Sequence, residues 1–383
     1  MEKKIAIVVC AWPPMGGGIG NNAYYHLKWL IKSGVVAEAF TPDYGQEKEK
    51  SNLPVNYLKT YLTLGKAGFM FGLLKELKRF DIIHFYYPFF GTDFIIWLFK
   101  KINPKKKLVL HYEMDPIGQG IMKIFFRIYI KLFLGLIINV SDRVGVLSWD
   151  HCKNSYLADF FKKQPDKFLE IPNGIEADFF SPGDKLEDLL KMNNFSVHDK
   201  IIIFVGGLDN QHFFKGVPVL LESFAIVSKQ HPETKLLIVG DGNLKLKFKE
   251  LANSLNLKKK VSFVGWINNN ILPEYYRLAD IFVLPSTEST ESFGIVVAEA
   301  QACGLPVVVS DWPGVRTTLI DGQTGFLVKP KDIEDLSNKL IKLLADEKLR
   351  YNFGQAGRER VILLYDWSKL IKKIISIYEE VSL

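Results

Sequence analysis

The sequence predicts an α/β protein made of two successive strand–helix series, each building a parallel sheet. Three observations lead there. The chain has 383 residues, 48% of them hydrophobic and 24% charged, an ordinary globular composition with length enough for two domains. Short continuous apolar runs, such as Ile-Ala-Ile-Val-Val-Cys at 5–10 and Ile-Ile-Ile-Phe-Val at 201–205, read as strands buried on both faces. Each run leads into a glycine-bearing loop and then a stretch of helical spacing, and the pattern breaks once, at 180–200, around Ser181-Pro182-Gly183 and a charged, poorly periodic segment. The expected domains are therefore 1–180 and 195–365.

Composition excludes several classes. Cys10, Cys152 and Cys303 are odd in number and far apart, with neither metal spacing nor a disulfide framework, which suits a reducing cytosol. The net charge is +7, and residues 1–190 hold 25 Lys+Arg against 20 Asp+Glu, so +5 of it lies in the first half. The basic residues form no nucleic-acid motif, so no nucleic-acid partner is expected, but an anionic lipid surface is compatible. The start of the chain has too short an apolar run, and no small-residue cleavage site, for a signal peptide. The segment 121–140 is nearly long enough to span a bilayer. Lys123, Arg127 and Lys131 lay a basic stripe along it, so it is expected to pack on a sheet or lie in a membrane interface.

Within the first series, the strand at 5–10 feeds a loop, 12–20, containing Gly16-Gly17-Gly18, and then an amphipathic helix expected at 21–33. Strand, glycine loop and helix can bring backbone N–H groups against a phosphate, although a glycine triplet alone is as often only a turn. A strand at 80–87 follows, then lysines at 100–101 and 105–107 flanking a turn. The strand at 108–110 ends in His111-Tyr112-Glu113-Met114-Asp115, a polar cluster where open α/β sheets carry their chemistry; hydrogen-bonded loop residues are the equal alternative. Ser141–Ser148 reads as a further strand, and Pro172-Asn173-Gly174 as a turn, because Asn and Gly accept positive φ.

In the second series, the strand at 201–205 runs into Gly206-Gly207-Leu208-Asp209, then His212, Lys215 and Gly216, with a helix expected over 217–229. Strands follow at 235–239 and 261–264, the latter ending at Gly265-Trp266-Ile267. The run 279–284 stops at Pro285, a polar loop spans 286–292, and a helix is expected over 293–302. This unit carries Glu291 in the loop and Glu299 more than one turn into the helix. Between them the N–H groups of Phe293, Gly294 and Ile295 have no partner in the first helical turn, which makes an anion site flanked by two hydroxyl acceptors. Two solvated acids on a strand–loop–helix unit are the plain alternative.

Glu291 and Glu299, with seven residues between them and Ser-Phe-Gly after the first, resemble the EX7E signature of the GT4 family (glycosyltransferase group 1) of retaining GT-B glycosyltransferases. The flanks, ADIFVLPS before and GLPVV after, agree, and the likeness runs over nearly the whole chain. The resemblance implies two doubly wound, Rossmann-like domains facing across a cleft, with a final helix, 366–383, returning to the first. It implies transfer of a sugar from a nucleotide-diphosphate sugar to an acceptor hydroxyl with retention of configuration. Glu299 would bind ribose hydroxyls, and Glu291 the donor sugar, with Phe293, Gly294 and Ile295 helping. Lys215 and the Gly17-Gly18 loop would neutralise the leaving diphosphate, and Trp266 and Ile267 would border the base, a buried indole being the equal alternative for Trp266. In relatives an arginine stands where this chain has Gly207, so His212 or another basic residue would substitute. Relatives also place a histidine where Glu113 falls, with His111 two residues early, so the role near the anomeric carbon stays open between His111 and Glu113.

No Asp-x-Asp occurs, so no metal and no cofactor beyond the donor substrate is expected. The expected partners are a nucleotide sugar and a glycan or lipid-linked acceptor, in the cytoplasm and at the inner face of the plasma membrane. A nucleotide-sugar epimerase or hydrolase, or a non-catalytic nucleotide-sugar-binding protein, are the alternatives. Donor base, acceptor and oligomeric state are not legible.

Overall fold

The computed structural model describes residues 3–14, 17–45, 52–65, 67–116, 118 and 120–382. Met15 and Gly16 of the expected glycine loop lie outside them. The chain forms two compact units: residues 1–174 with 367–383, and residues 175–366. Residues 175–180 go with the second unit for a visible reason. Ile175 N donates to Tyr365 O at 2.7 Å, and Arg358 Nη1 donates to the carbonyls of Ala177 and Phe180.

The first unit carries a seven-stranded sheet. Its strands are β1 (Ile5–Val8), β2 (Ala37–Asp43), β3 (Val55–Lys59), β6 (Ile82–Tyr87), β7 (Lys107–Tyr112), β8 (Arg143–Val146) and β9 (Phe168–Glu170), with a side hairpin of β4 (Tyr61–Leu64) and β5 (Ala67–Phe69). The sheet order is β3-β2-β1-β6-β7-β8-β9 with every pair parallel, so strand order reverses between β1 and β6. Alternate residues face opposite ways along a strand. Accordingly Ala6 and Val8 join a core with Phe85, Leu108, Leu110 and Val144 on one face. Ile5, Ile7 and Val9 join another with Ile82, Val109 and the helix Trp367–Ser382 on the opposite face. Each strand is covered on both sides, which is why its sequence is a continuous apolar run rather than an alternation. The last helix seats Trp367 so closely that a Cβ on Gly174 would fall 2.3 Å from the indole.

The second unit has six parallel strands: β10 (Lys200–Val205), β11 (Thr234–Val239), β12 (Val261–Gly265), β13 (Ile281–Leu284), β14 (Val307–Ser310) and β15 (Gly325–Val328). The order β12-β11-β10-β13-β14-β15 puts the reversal between β10 and β13. In such sheets the crevice outside the carboxyl ends at the reversal is where loops diverge and ligands fit.

Three elements differ from the expectation. The helix expected at 21–33 spans Gly17–Lys32, so Gly17 and Gly18 form its first turn rather than a free loop. The helix expected at 293–302 spans Ile295–Ala302, because Gly294 adopts a left-handed φ of 76° and caps it from outside. The segment 121–140 is helical in three pieces, Ile121–Tyr129, a π-helical turn Ile130–Leu134, and Gly135–Val140, and only the latter two contribute buried side chains.

Candidate functional site

In the second unit the loops after β10 and β13 meet. Lys215 ends a short 3-10 turn, Phe213–Lys215, and the next residue, Gly216, has φ of 74°. A Cβ at Gly216 would lie 1.9 Å from the Pro285 carbonyl oxygen, so only glycine allows the two loops this approach. Thr287 then staples them: its N–H donates to Phe214 O at 2.7 Å and its hydroxyl to the same oxygen at 3.2 Å. The result is a largely buried ion pair, Lys215 Nζ to Glu291 Oε2 at 2.7 Å.

Glu299, one helix further, accepts from the Tyr276 hydroxyl at 2.8 Å. Burial pushes its carboxyl up to about 7, against the pull of Tyr276 and of the Lys215 charge. Lys215 is thus electrically felt by both acids. Phe293 is buried edge-on against Tyr365, ring centres 5.2 Å apart, and with Gly294 it precedes the helix whose first residue is Ile295. The hydroxyls of Ser286 and Thr290, in the same loop, are buried without a hydrogen-bond partner among the described residues. An ammonium, two carboxylates, a helix start and unpaired hydroxyls together suit a ligand bearing both negative charge and hydroxyl groups.

The other candidates of this unit sit at different depths. The Lys215 stem crosses Gly206, where a Cβ would be 2.7 Å from its Cδ. At Gly207 a Cβ would strike His212 Nδ1 at 2.6 Å, and His212 is itself held by Asp209 at 2.8 Å. A side chain at position 207 would require the His212 ring to move, since His212 occupies the space above it. Trp266 and Ile267 follow the edge strand β12, three strands and so about 14 Å from β13 across the sheet. The buried-indole alternative for Trp266 is overturned: the residue, just past the edge strand, is 70% exposed. Ile267 is half-buried.

In the first unit the structure separates His111 from Glu113. The strand β7 runs through Tyr112, so His111 lies inside the sheet, buried, while Glu113 is the first residue past it. Asn22 Nδ2, from the helix that Gly17 and Gly18 open, donates to Glu113 Oε1 at 2.8 Å. Asn22 Nδ2 also donates to Oδ1 of Asn173, from the Pro-Asn-Gly turn, at 2.6 Å; in the alternative orientation of that amide its nitrogen lies 3.3 Å from both carboxylate oxygens instead. Burial pushes Glu113 to about 7, with Asn22 and Asn173 opposing. Burial also drives His111 down to about 3, so it is neutral at any physiological pH. A Cβ on Gly18 would meet nothing within 4 Å, so packing does not explain its lack of a side chain, and the space beside the helix start is open.

Sequence reasoning missed Tyr276, Asn22 and Thr290 as parts of these sites, and read Asn173 only as a turn former. Tyr276 lies within a plain helix pattern, Leu272–Leu278, and only its contact with Glu299 distinguishes it. Among the described residues there is no group of three or more His, Cys, Asp or Glu side chains placed to hold a metal ion.

Residues 187–360 match the family model described as Glycosyl transferases group 1. An uncharacterized glycosyltransferase of Methanocaldococcus jannaschii is 30% identical over 395 residues, covering 98% of both chains. The phosphatidyl-myo-inositol mannosyltransferase of Mycobacterium leprae is 34% identical over 214 residues; the match covers 56% of this chain and spans only about half, 54%, of that relative's length. The crystal structure of a glycosyltransferase from Rickettsia africae superposes with a TM-score of 0.78 over 99% of this chain and 98% of its own, at 21% identity.

Proposed function

The chain belongs to the group 1 glycosyltransferases, GT4-like enzymes of GT-B fold, and on that premise we propose that it transfers a hexose from a nucleotide-diphosphate sugar to an acceptor hydroxyl with retention of the anomeric configuration. The observation that carries the reading is the Lys215–Glu291 pair, set beside Glu299 at the strand-order reversal of the second unit. An ammonium there would stabilise the diphosphate charge as the glycosidic bond breaks. Glu299 would hold ribose hydroxyls and Glu291 sugar hydroxyls, while the N–H groups at the start of the helix Ile295–Ala302 approach the diphosphate. Glu113 would contact the sugar near its reacting carbon, a role His111, neutral and inside the sheet, would support from behind. Trp266 offers an exposed indole face against which a base stacks.

The test is a panel of UDP-, GDP- and ADP-sugars with acceptor, read by mass spectrometry, and the anomeric proton of the product read by NMR. Inversion overturns the retaining reading. Donor consumed without acceptor supports a hydrolase or epimerase. Donor bound with every acceptor inert supports a non-catalytic protein, the reading that the absence of a cation at Gly207 favours. We expect turnover to survive EDTA; a loss restored by magnesium contradicts the metal-free reading.

We also propose a lipid acceptor at the inner face of a membrane, a reading that the segment 121–134 supports. Ile121, Ile124, Ile128 and Leu132 are 84%, 61%, 55% and 59% exposed, and Lys123, Arg127 and Lys131 run beside them, also exposed. The helix Ile121–Tyr129 buries none of its residues. It is nonetheless held in place, by Tyr129 donating to Asp93 Oδ1 at 2.5 Å and by Phe126 stacked on Phe90. An apolar face edged by cations suits the interface of an anionic bilayer. Three cations at about 1 kcal/mol each make anionic over neutral vesicles a preference on the order of 100-fold. The acceptor in the name of the mycobacterial relative is a lipid, which supports the same reading. No helix among the described residues is long and apolar enough to cross a membrane. Co-sedimentation with anionic and neutral vesicles, for the native protein and for Ile124→Asp/Ile128→Asp, tests it; equal partition into both vesicle types overturns it.

A further inference from the structure

We propose that Tyr378, on the helix Trp367–Ser382, is a positioning residue whose hydroxyl sets the direction of a buried hydrogen-bond chain ending at His111, whose outer nitrogen faces Glu113. The effect on turnover rests on Glu113 acting in the proposed reaction; the direction of the chain does not.

The chain is continuous through three imidazoles. The Tyr86 hydroxyl is 2.8 Å from His26 Nδ1. His26 Nε2 is 3.2 Å from the Tyr378 hydroxyl, which is 2.8 Å from His84 Nδ1. His84 Nε2 is 3.0 Å from His111 Nδ1. His111 Nε2 faces Glu113 Oε1 at 3.7 Å. All five residues from Tyr86 to Tyr378 are buried, and burial holds His26, His84 and His111 in the neutral form.

Neutral rings make the direction a counting problem, since each carries one N–H and one lone pair. The group facing His111 Nε2 is an acceptor, the Glu113 carboxylate, and the Ile171 backbone acts on the same ring as an acceptor, since it raises the histidine's pKa. At 3.7 Å the carboxylate is too far for a full hydrogen bond, yet it repels a lone pair. So Nε2 carries the hydrogen and Nδ1 must accept from His84. His84 then spends its hydrogen on Nε2, and its Nδ1 must accept from Tyr378. Tyr378, having donated, accepts from His26 Nε2, and His26 Nδ1 accepts from Tyr86. Every hydrogen finds one acceptor, and the three rings share the Nε2–H tautomer.

Reversed, the chain would aim a lone pair at the carboxylate and leave the Tyr86 hydroxyl hydrogen with no other recorded acceptor among the described residues. Tyr378 is the one link between imidazoles that is not itself an imidazole, and it comes from the other end of the sequence. Remove its hydroxyl and His84 is free to hold its hydrogen on Nδ1. His111 can then donate from Nδ1, turning a lone pair toward Glu113. Among the described residues the groups recorded against Glu113 are Asn22, Asn173 and His111, with the Tyr86 hydroxyl further off, and none of them is a cation. The carboxylate therefore depends on these dipoles, and losing one favours its protonated form.

Two measurements on the full chain decide this. Long-range proton–nitrogen NMR on protein labelled with ¹⁵N-histidine should show His26, His84 and His111 neutral and Nε2-protonated at pH 7. Tyr378→Phe should mix the tautomers of His84 and His111. In the same variant, the acid limb of the kcat profile should move up by roughly one pH unit with donor KM unchanged. A His111 that is charged or Nδ1-protonated in the native protein overturns the proposal. So does a Tyr378→Phe variant with native tautomers and a native pH profile, which would make Tyr378 structural only. If no acceptor is ever turned over, the tautomers and a ¹³C titration of Glu113 still decide, and a variant that does not fold leaves the native tautomers as the deciding result.

Discussion

Glu113 in the first unit and Glu299 in the second both sit with carboxyls raised to about 7, and they are held by opposite means. Glu113 is surrounded by neutral dipoles: two amides, an imidazole and, further off, a phenol. Glu299 has one phenol and the field of a lysine that is itself committed to Glu291. A dipole works over a few ångströms and only along its axis, whereas a charge reaches further. The first arrangement therefore depends on hydrogen positions fixed deep in the sheet, and the second on one cation. Each can be broken by a different change.

The largest effect is expected at the cation. Lys215→Ala should lower kcat by about 10²–10³-fold, the range for losing one preorganised charge at a leaving group. It also strands Glu291 and removes the pull that holds Glu299 down, so the raised Glu299 carboxyl should rise further. Nucleotide binding near neutral pH should then weaken as well, because more Glu299 is protonated. Steady-state kinetics and nucleotide titration at pH 6, 7 and 8 check both parts. Native turnover in this variant would remove the second-unit site.

Next come the two acids themselves. Glu113→Gln should cut kcat by about 10²-fold, a typical loss for one polar group at a reaction centre, with donor binding kept. Glu299→Gln should leave kcat less affected and weaken nucleotide binding by roughly 10–100-fold, the 1.5–3 kcal/mol of a hydrogen bond to a charged group. Native nucleotide affinity should fall as pH drops through about 7, where Glu299 protonates, and the Glu299→Gln affinity should be flat there. Affinity lost on Glu113→Gln and kept on Glu299→Gln would reverse the assignment.

How much of this the sequence contained follows from how local each signal is. The strands were legible as apolar runs, because both sheet faces are covered. Glu291, Glu299 and Lys215 were legible because each sits a fixed short step from a strand end. Helix starts were not: Gly17 and Gly18 look like loop residues in sequence yet begin a helix, and Gly294 looks like part of one yet precedes it. The crowding of His212 over Gly207 depends on how one loop folds back on itself. The chain of His26, His84, His111 and Tyr378 had no signal at all. It draws on four elements separated by tens to hundreds of residues, and each histidine by itself reads as an ordinary buried ring.

That same chain gives the smallest effect, one of stability rather than rate. His26 and His111 have folded-state values near 3 against an ordinary value of 6.5. A base depressed in the folded state contributes stability that is fully present above 6.5 and is lost as pH falls toward 3. Glu113 runs the other way: raised to about 7, it contributes stability that is whole below 4.5 and is lost as pH rises through 7. Between 4.5 and 6.5 the two histidines outweigh the single carboxyl, so the stability of the first unit should rise with pH and level off near 7, with Glu113 making the slope shallower. Thermal unfolding of the full chain across pH 4–8, followed at a probe in the first unit, should show Tm falling as pH drops below about 7. In Glu113→Gln this acid fall should steepen, because the opposing carboxyl contribution is gone. If the acid fall is unchanged in Glu113→Gln, its carboxyl is not the group that the buried dipoles hold.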